Sequence, residues 1–301
     1  MHDHGEKSIT TARWGQERRL EFIDFRLLWD RTVNRGELVD FFGISTQQAS
    51  TDLAMYINIA PQNIEYDKSQ KTYRATSEFK PVIARDDTHA FLNELAGLVT
   101  GTLKPSASLI GWRPPCDLVR YPVRPIRTAI LLRLLWAIRD GEELQLVYQS
   151  MRRPLATERW LAPHAIAFDG LRWHVRAWCH ENQEFRDFVI SRIQDIKDSR
   201  HTAINADDDT WWNTYIDVIV QPRDGLTAGQ RSAIESDFGM SNGRLRFTCR
   251  KALAFYLLRQ LQLDRITELP PIAQPLELVN RDQLAPFISA AKKIPDIQST
   301  V

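Results

Sequence analysis

The sequence predicts an α+β chain of several domains, and three observations predict it. Residues 1–80 read as helix, short helix, capped helix and hairpin. Leu144 to Ile196 reads as short alternating strands rich in arginine, and the stretch beyond residue 200 mixes short strands with helices. The expected organisation is a winged helix-turn-helix over 1–80, a helical connector over 81–140, a small SH3-like or Sm-like β-barrel over 141–200, and a small α/β extension over 201–301. Hydrophobic residues at 43% and charged residues at 26% are ordinary for a globular chain of 301 residues.

In the first element, Leu20, Ile23, Leu27 and Leu28 recur at helical spacing from Glu17 to Trp29, with Phe22 and Phe25 widening the stripe. Arg35 to Phe42 reads as a second short helix broken by Gly43. Ser45-Thr46-Gln47-Gln48 then reads as a capping box, in which Ser45 caps the free amides and Gln48 reaches back. The third helix runs from Thr46 to about Ile59 and stops before Pro61. Its Ala49, Leu53, Tyr56 and Ile57 should face inward, leaving Gln47, Gln48 and Thr51 outward near the amino-terminal end. In a helix-turn-helix that end reaches base edges, and glutamine pairs with adenine. Ser45 and Thr46 can set backbone amides against a phosphate. Ile64-Glu65-Tyr66 and Thr72-Tyr73-Arg74 read as a hairpin wing, with Lys68 and Lys71 placed for DNA backbone.

Against DNA binding stands the balance of 11 lysines and arginines to 12 acids in residues 1–80. The arginines cluster, however, at Arg13, Arg18, Arg19, Arg31 and Arg35, and Asp52 is the one charge of the third helix. The competing expectation is a packing or dimerisation domain. The connector adds a helix through Phe91, Leu92, Leu95 and Leu98, a Pro-rich loop with an exposed Trp112, and a helix from Ile126 to Ile138. The broad apolar face of that last helix, Ile130, Leu131, Leu134, Leu135 and Ile138, is expected to bury itself in the neighbouring domain or in a second copy of the chain, with the second copy preferred.

The next module is the most informative. Seven arginines and no lysine lie between Tyr148 and Arg192, together with five acids. Arginine presents a planar fork of donors suited to phosphate or carboxylate, so an anionic ligand is expected. Leu144, Leu146, Tyr148 and Ser150 share one side of a strand. Trp160 to Phe168 gives a second strand, and Asp169-Gly170 signals a tight primed hairpin turn. Leu171, Trp173, Val175 and Ala177 then alternate with Arg172, His174, Arg176 and Trp178, and Trp173 is expected in the core. The bland account of the arginines is ion pairing with Glu158, Asp169, Glu181, Glu184 and Asp187.

Tyr148-x-Ser150, Arg159-Trp160-Leu161-x-Pro163-His164, Gly170-x-x-Trp173-His174-Val175-x-Ala177-x-Cys179 and Phe188-x-x-Ser191-Arg192-Ile193 resemble the WYL-domain family of bacterial transcription regulators. Trp173-His174-Val175 stands where the name-giving triplet would, with its tyrosine and leucine replaced. The closest resemblance is to WYL repressors found beside phage-defence operons of the BREX and CBASS types. The resemblance implies a ligand pocket formed by Tyr148, Ser150, Arg153, Arg159, His164, Arg176 and Arg192, and a ligand that is a nucleotide or single-stranded nucleic acid. It also implies a carboxy-terminal extension that helps the chain form a homodimer on the inverted repeat of a double-stranded operator.

After residue 200, Ile216 to Val220 reads as a strand, Thr227-x-x-Gln230 as a capping box, Arg244 to Cys249 as a strand and Ala252 to Leu261 as a helix. Leu276 to Val279 and Leu284 to Ala291 close the pattern as strand and helix.

No GxSxG, Walker loop, GxGxxG, HExxH or zinc-type cluster occurs, so no cofactor or metal and no enzymatic activity are expected. His164, His174 and His180 near Asp169 and Ser150 keep a nucleotide-processing enzyme as an alternative, beside a nucleic-acid-binding module of a defence complex. The polar amino terminus, the apolar run broken by Arg133, and Cys116, Cys179 and Cys249 without CxxC spacing lead to a cytoplasmic expectation, with no membrane partner.

Overall fold

The computed structural model describes residues 4–264 and 269–292, with side chains described from 15 to 264 and 269 to 288. The side chain of Arg13 and the residues Met1 to Asp3 lie outside that description. The chain forms two compact units, residues 1–120 and 121–301.

In the first unit, helix α1 (His4–Trp29) begins well before the predicted Glu17. Strand β1 (Thr32–Val33), helix α2 (Arg35–Phe42) and helix α3 (Thr46–Ile59) follow. Strands β2 (Ile64–Asp67) and β3 (Thr72–Ala75) form the wing, and β1 adds to it in the order β1-β3-β2. The core is Leu20, Ile23 and Leu27 of α1 with Leu38, Ala49, Leu53 and Tyr56.

The capping box lies elsewhere than predicted. Asn34 accepts from the Glu37 amide at 3.0 Å while the Glu37 carboxylate accepts from the Asn34 amide at 2.7 Å, so α2 carries it. At α3, Ser45 accepts from the Gln48 amide at 3.1 Å, but the Gln48 side chain turns to Asp52 instead of reaching back.

The expected connector divides. Helix α4 (Thr88–Thr100) belongs to the first unit, where Phe91 stacks on Trp29 at 4.3 Å and Leu95 joins Phe25, Ala84 and Ile110 in a second cluster. Between the two clusters α1 is buried all round from Phe22 to Leu27. Asp24, fully buried, therefore needs internal partners. Its Oδ2 accepts the successive amides of Val82, Ile83 and Ala84 at 2.8, 2.7 and 2.8 Å, and its Oδ1 accepts the Tyr56 hydroxyl. Burial and that carboxylate push the Tyr56 hydroxyl well above its usual range.

In the second unit, helix α5 (Thr128–Asp140) packs Ile130, Leu134 and Ala137 into the core of the sheet that follows, with Leu131 and Ile138 at its margin. Of the two expected partners for this apolar face, the neighbouring domain covers it and not the preferred second copy: four of those five residues pack on the chain's own sheet, whose first strand, β4, follows α5 after one glycine. Leu135 stays exposed with Leu132 and Trp136 on the far side.

Strands β4 (Glu142–Tyr148), β5 (Thr157–Phe168), β6 (Trp173–Cys179), β7 (Glu184–Val189) and β8 (Ile193–His201) make one antiparallel sheet in the order β7-β6-β5-β4-β8. A bulge between Pro163 and Ala165 bends the long β5. The β5–β6 hairpin is a four-residue loop rather than a two-residue primed turn. The Asp169 side chain closes it by accepting the amides of Leu171 and Arg172 at 2.9 and 2.6 Å. Gly170 suits the loop because its φ of +88° is a backbone conformation that other residues adopt only under strain, and the Gln260 side chain lies close against it.

Helix α6 (Thr210–Asn213), strand β9 (Tyr215–Pro222), helix α7 (Ala228–Asp237), strand β10 (Leu245–Arg250), helix α8 (Ala254–Gln260), strand β11 (Leu276–Leu278) and helix α9 (Arg281–Lys292) complete the unit. Their sheet runs β10-β9-β11. The Thr227–Gln230 capping box forms on α7, with side-chain bonds of 3.4 and 2.9 Å.

Candidate functional site

The first candidate surface is the exposed side of α3 with the wing. Ala49, Leu53 and Tyr56 are buried and Ile57 is half-buried, while Ser45, Thr46, Gln47 and Thr51 are exposed. The single charge of α3 does not face outward. Asp52 is fully buried and bound by Arg19 at 2.6 Å, and the Gln48 amide donates to it at 3.1 Å. The outward face is therefore free of negative charge, and Gln48 is half-buried and committed to the fold. Sequence periodicity could have found this: position 52 lies on the same helical face as Ala49, Leu53 and Tyr56.

Arg35, at the start of α2, donates to Ser50 of α3 at 3.4 Å. Lys68 and Lys71 are exposed on the wing turn. Asp67 organises that turn through bonds from the Ser69 hydroxyl and the amides of Ser69 and Gln70, which bring its pKa down to about 2, and Arg74 pairs with it at 3.0 Å.

The arginine module does not assemble its seven predicted residues as one set. Tyr148, 6% exposed, lies in the core. Its hydroxyl accepts the Val189 amide at 3.2 Å and its ring meets Phe188 edge-on. It is not open for stacking on a base. Arg159 is buried beside it, with its guanidinium 5.4 Å from the Tyr148 ring centre. Arg159 and Arg153 share Glu181, the former at 3.5 Å. The Ser150 hydroxyl accepts from the Arg152 amide at 3.1 Å. Gln149 ties the neighbouring turns together, donating through its backbone to the Arg192 carbonyl and through its side chain to the carbonyls of Ser150 and Arg153. Two features here suit an anion. The Arg159 Nε–H is buried without a partner, and the Arg192 side chain makes no hydrogen bond or ion pair among the described residues.

His164 and Arg176 belong to a different network. Arg176 donates to Asp209 through Nε at 2.7 Å and through a terminal nitrogen at 3.0 Å, and its third nitrogen reaches Asp187 at 3.3 Å. His164 Nε2 bonds Asp209 at 2.9 Å. Both side chains are thus neutralised within the fold by an acid that sequence reasoning missed, because Asp209 lies outside the arginine-rich interval. The same face carries His174, 2.9 Å from Asp169, and Tyr256, whose hydroxyl donates to Asp187 at 3.0 Å. Burial opposes the charged form of Asp169, but the bonds from His174, Leu171 and Arg172 prevail and hold its pKa at about 2. The ion-pairing account of the module thus holds for Arg153, Arg159, Arg172, Arg176 and Arg186, which pairs with Glu184 at 3.2 Å. Trp173, expected in the core, is 49% exposed and pairs with Phe168 at 4.8 Å at the hairpin end.

Among the described residues no group of three or more His, Cys, Asp and Glu is placed to hold a metal ion, and no helix is long and apolar enough to cross a membrane.

Comparison with known proteins covers each part. Residues 15–97 match the winged helix-turn-helix domain of BrxR transcriptional regulators, 129–198 the WYL domain, and 215–284 the BrxR carboxy-terminal dimerization domain. Over 280 residues the chain is 43% identical to the DNA-binding transcriptional repressor CapW of Escherichia coli (strain KTE188), spanning 93% of this chain and 94% of that one. It is 44% identical over 279 residues to CapW of Pseudomonas aeruginosa (92% and 93%) and 45% over 268 to CapW of Stenotrophomonas maltophilia (88% of each). Among solved structures it is similar to proteasome accessory factor B/C of Arthrobacter aurescens at 17% identity and a TM-score of 0.26, covering 93% of this chain and 49% of that one, a likeness too distant to bear on the fold. The named relatives are regulators, in keeping with the expectation that the chain is not an enzyme. By identity and coverage, the chain belongs to the CapW family of DNA-binding transcriptional repressors.

Proposed function

We propose that this protein is a homodimeric, sequence-specific repressor of its own operon, a phage-defence operon, and that its arginine module responds to an anionic ligand such as a nucleotide or single-stranded nucleic acid. The observation that carries the DNA reading is the outward face of α3, capped at Ser45, flanked by the wing lysines and relieved of charge by the inward turn of Asp52. Two such helices in a dimer engage the two halves of an inverted repeat, and the match to a dimerization domain over 215–284 supports the pairing.

The ligand reading rests on the unpartnered Arg159 Nε–H and the unpaired Arg192, whereas Arg176 and His164 are already held by Asp209. A ligand that binds one conformation of the dimer better shifts operator affinity, and the coupling is reciprocal.

The test is a titration of the full-length protein against duplex DNA from upstream of its own gene, with a scrambled duplex alongside at low and physiological salt. Wild type prefers the upstream duplex at physiological salt. The double variant Gln47→Ala, Thr51→Ala keeps its melting temperature and loses about tenfold or more of that preference, the scale of one paired base contact. Unchanged discrimination would remove α3 from the reading role. Arg192→Ala retains operator affinity and no longer releases DNA when short single-stranded oligonucleotides are added. An Arg192→Ala protein that still responds like wild type places the ligand elsewhere.

A further inference from the structure

We infer that α3 reads a half-site core of A·T pairs, with Thr51, Ala54 and Met55 touching thymine methyl groups beside the adenine contact of Gln47. The inference rests on α3 being the reading helix, and it adds base composition and two reading residues to that role.

From Thr46 to Ile59 the helix contains no lysine, arginine or histidine, and its one acid is buried. Guanine offers two acceptors, O6 and N7, to the major groove, and its strong partner is the donor fork of arginine or the ammonium of lysine. The helix has neither. Adenine offers a donor and an acceptor, which match a carboxamide, and thymine offers a methyl group and an acceptor.

Hydrogen bonds within the helix narrow the chemistry further. Ser50 donates its hydroxyl to the Thr46 carbonyl at 2.9 Å, and Thr51 donates its own to the Gln47 carbonyl at 3.1 Å. With that proton committed, Thr51 has no donor for the guanine acceptors, and it offers a base its methyl and the lone pairs of its oxygen, which can accept from the adenine amino group. The Gln48 amide is taken by Asp52. Gln47 is then the exposed carboxamide of the first two turns. Thr51 follows one turn later, and Ala54 and Met55 the turn after that, all exposed on the same side, with Met55 at 37%. A carboxamide followed by three apolar groups suits adenine followed by thymine methyls. Arg35, bonded to Ser50 at the flank, and the wing lysines are left to the phosphates.

The test starts with selection of binding duplexes from a random-sequence library by the full-length protein. The selected duplex is then titrated with uracil in place of thymine, and separately with 7-deazaguanine in place of guanine. The expected result is a half-site core of A·T pairs, with affinity falling about fourfold for each contacted methyl removed, the factor for burying one apolar carbon. Met55→Ala should bind thymine and uracil duplexes more nearly alike. Substitution on the DNA needs no folded variant, so a failure of Met55→Ala to fold leaves the uracil result decisive. 7-Deazaguanine at the guanines that flank the core should change nothing. A selected core of G·C pairs, or a duplex indifferent to uracil and weakened by 7-deazaguanine, overturns the inference alone. A selection that enriches no sequence overturns the operator reading beneath it.

Discussion

Asp24→Ala destabilises the amino-terminal unit by roughly 5 kcal/mol or more and abolishes DNA binding, although Asp24 lies on α1 and not on α3, the helix proposed to read DNA. The carboxylate is fully buried and receives three consecutive backbone amides, Val82, Ile83 and Ala84, and the Tyr56 hydroxyl. Alanine leaves four donors without a partner, and each unsatisfied buried group costs about 1–3 kcal/mol. The sum approaches the whole stability of a small domain, about 5–15 kcal/mol. Tyr56 belongs to α3, so Asp24 ties α3 to α1 and α1 to the segment that leads into α4. Asp24→Asn separates charge from hydrogen bonding. Its oxygen can keep the three amides and its NH2 can face the tyrosine oxygen, so it should lose less than half as much. Thermal melts and limited proteolysis of the full chain measure both variants. A loss under about 2 kcal/mol for Asp24→Ala would show that solvent replaces the lost acceptor and that the unit is looser than its packing implies.

Asp24 also shows where legibility in the sequence ended. The apolar spacing of α1 and α3 was readable because one helix face repeats every 3.6 residues, and Ala49, Leu53 and Tyr56 lie inward as expected. An acid inside such a stripe, Asp24 among Ile23 and Leu27 or Asp52 beside Leu53, was readable as an anomaly, but its partners were not. Those of Asp24 lie 32 to 60 residues away and Arg19 lies 33 residues from Asp52. The Asn34-x-x-Glu37 box was readable by the same rule that was applied to Ser45 and Gln48. The rule went wrong at Gln48 because its Nε2 donates to buried Asp52, one turn on, which holds the side chain away from the Ser45 backbone N–H that its Oε1 would have accepted.

In the arginine module, strand alternation set Tyr148 on one side with Leu144, Leu146 and Ser150, and in the structure Leu144, Leu146 and Tyr148 share the core. Its assignment to a ligand came from the resemblance and not from the pattern. Whether an arginine faces a ligand or an acid is decided by tertiary pairing. That is why Arg176, read as a clamp, is held by Asp209, 33 residues further on.

Asp209→Ala supplies the second large effect, expected at about 3–5 kcal/mol, the cost of breaking a buried ion pair by removing one partner. The variant leaves the Arg176 guanidinium, 7% exposed, with Asp187 at 3.3 Å as its remaining carboxylate, leaves His164 Nε2 without its acceptor, and removes the cap of α6, where the Asp209 carboxylate accepts the Trp212 amide at 3.1 Å. For a unit of this size the melting temperature should fall on the order of 10 °C. The double variant Asp209→Leu, Arg176→Met removes both charges and should recover part of that loss, because two apolar groups replace a pair whose desolvation was costly, while the His164 bond and the cap of α6 stay lost. The acid dependence follows from the same groups. Burial of Asp209 opposes its charge, but bonds from Arg176 outweigh it and hold its pKa below the usual range. Its stabilisation is therefore present above the unfolded value of about 4 and is lost as pH falls through the lower folded value. Burial lowers the His164 pKa despite the bond from Asp209, so the unfolded chain takes up a proton near pH ~6.5 that the folded chain refuses, and stability declines below that pH. Melting curves of wild type from pH 8 to pH 3 should show both declines, and in Asp209→Ala the lower one should shrink to the part that Asp169 and Asp67 still supply. Asp209 precedes β9 while Arg176 and His164 lie on β6 and β5, so this carboxylate joins the arginine-rich sheet to the chain that enters the segment matched to a dimerization domain. If Asp209→Ala melts within 2 °C of wild type, that junction is held by Tyr256–Asp187 and Gln260–Asp169 instead, and the charge network is incidental to it.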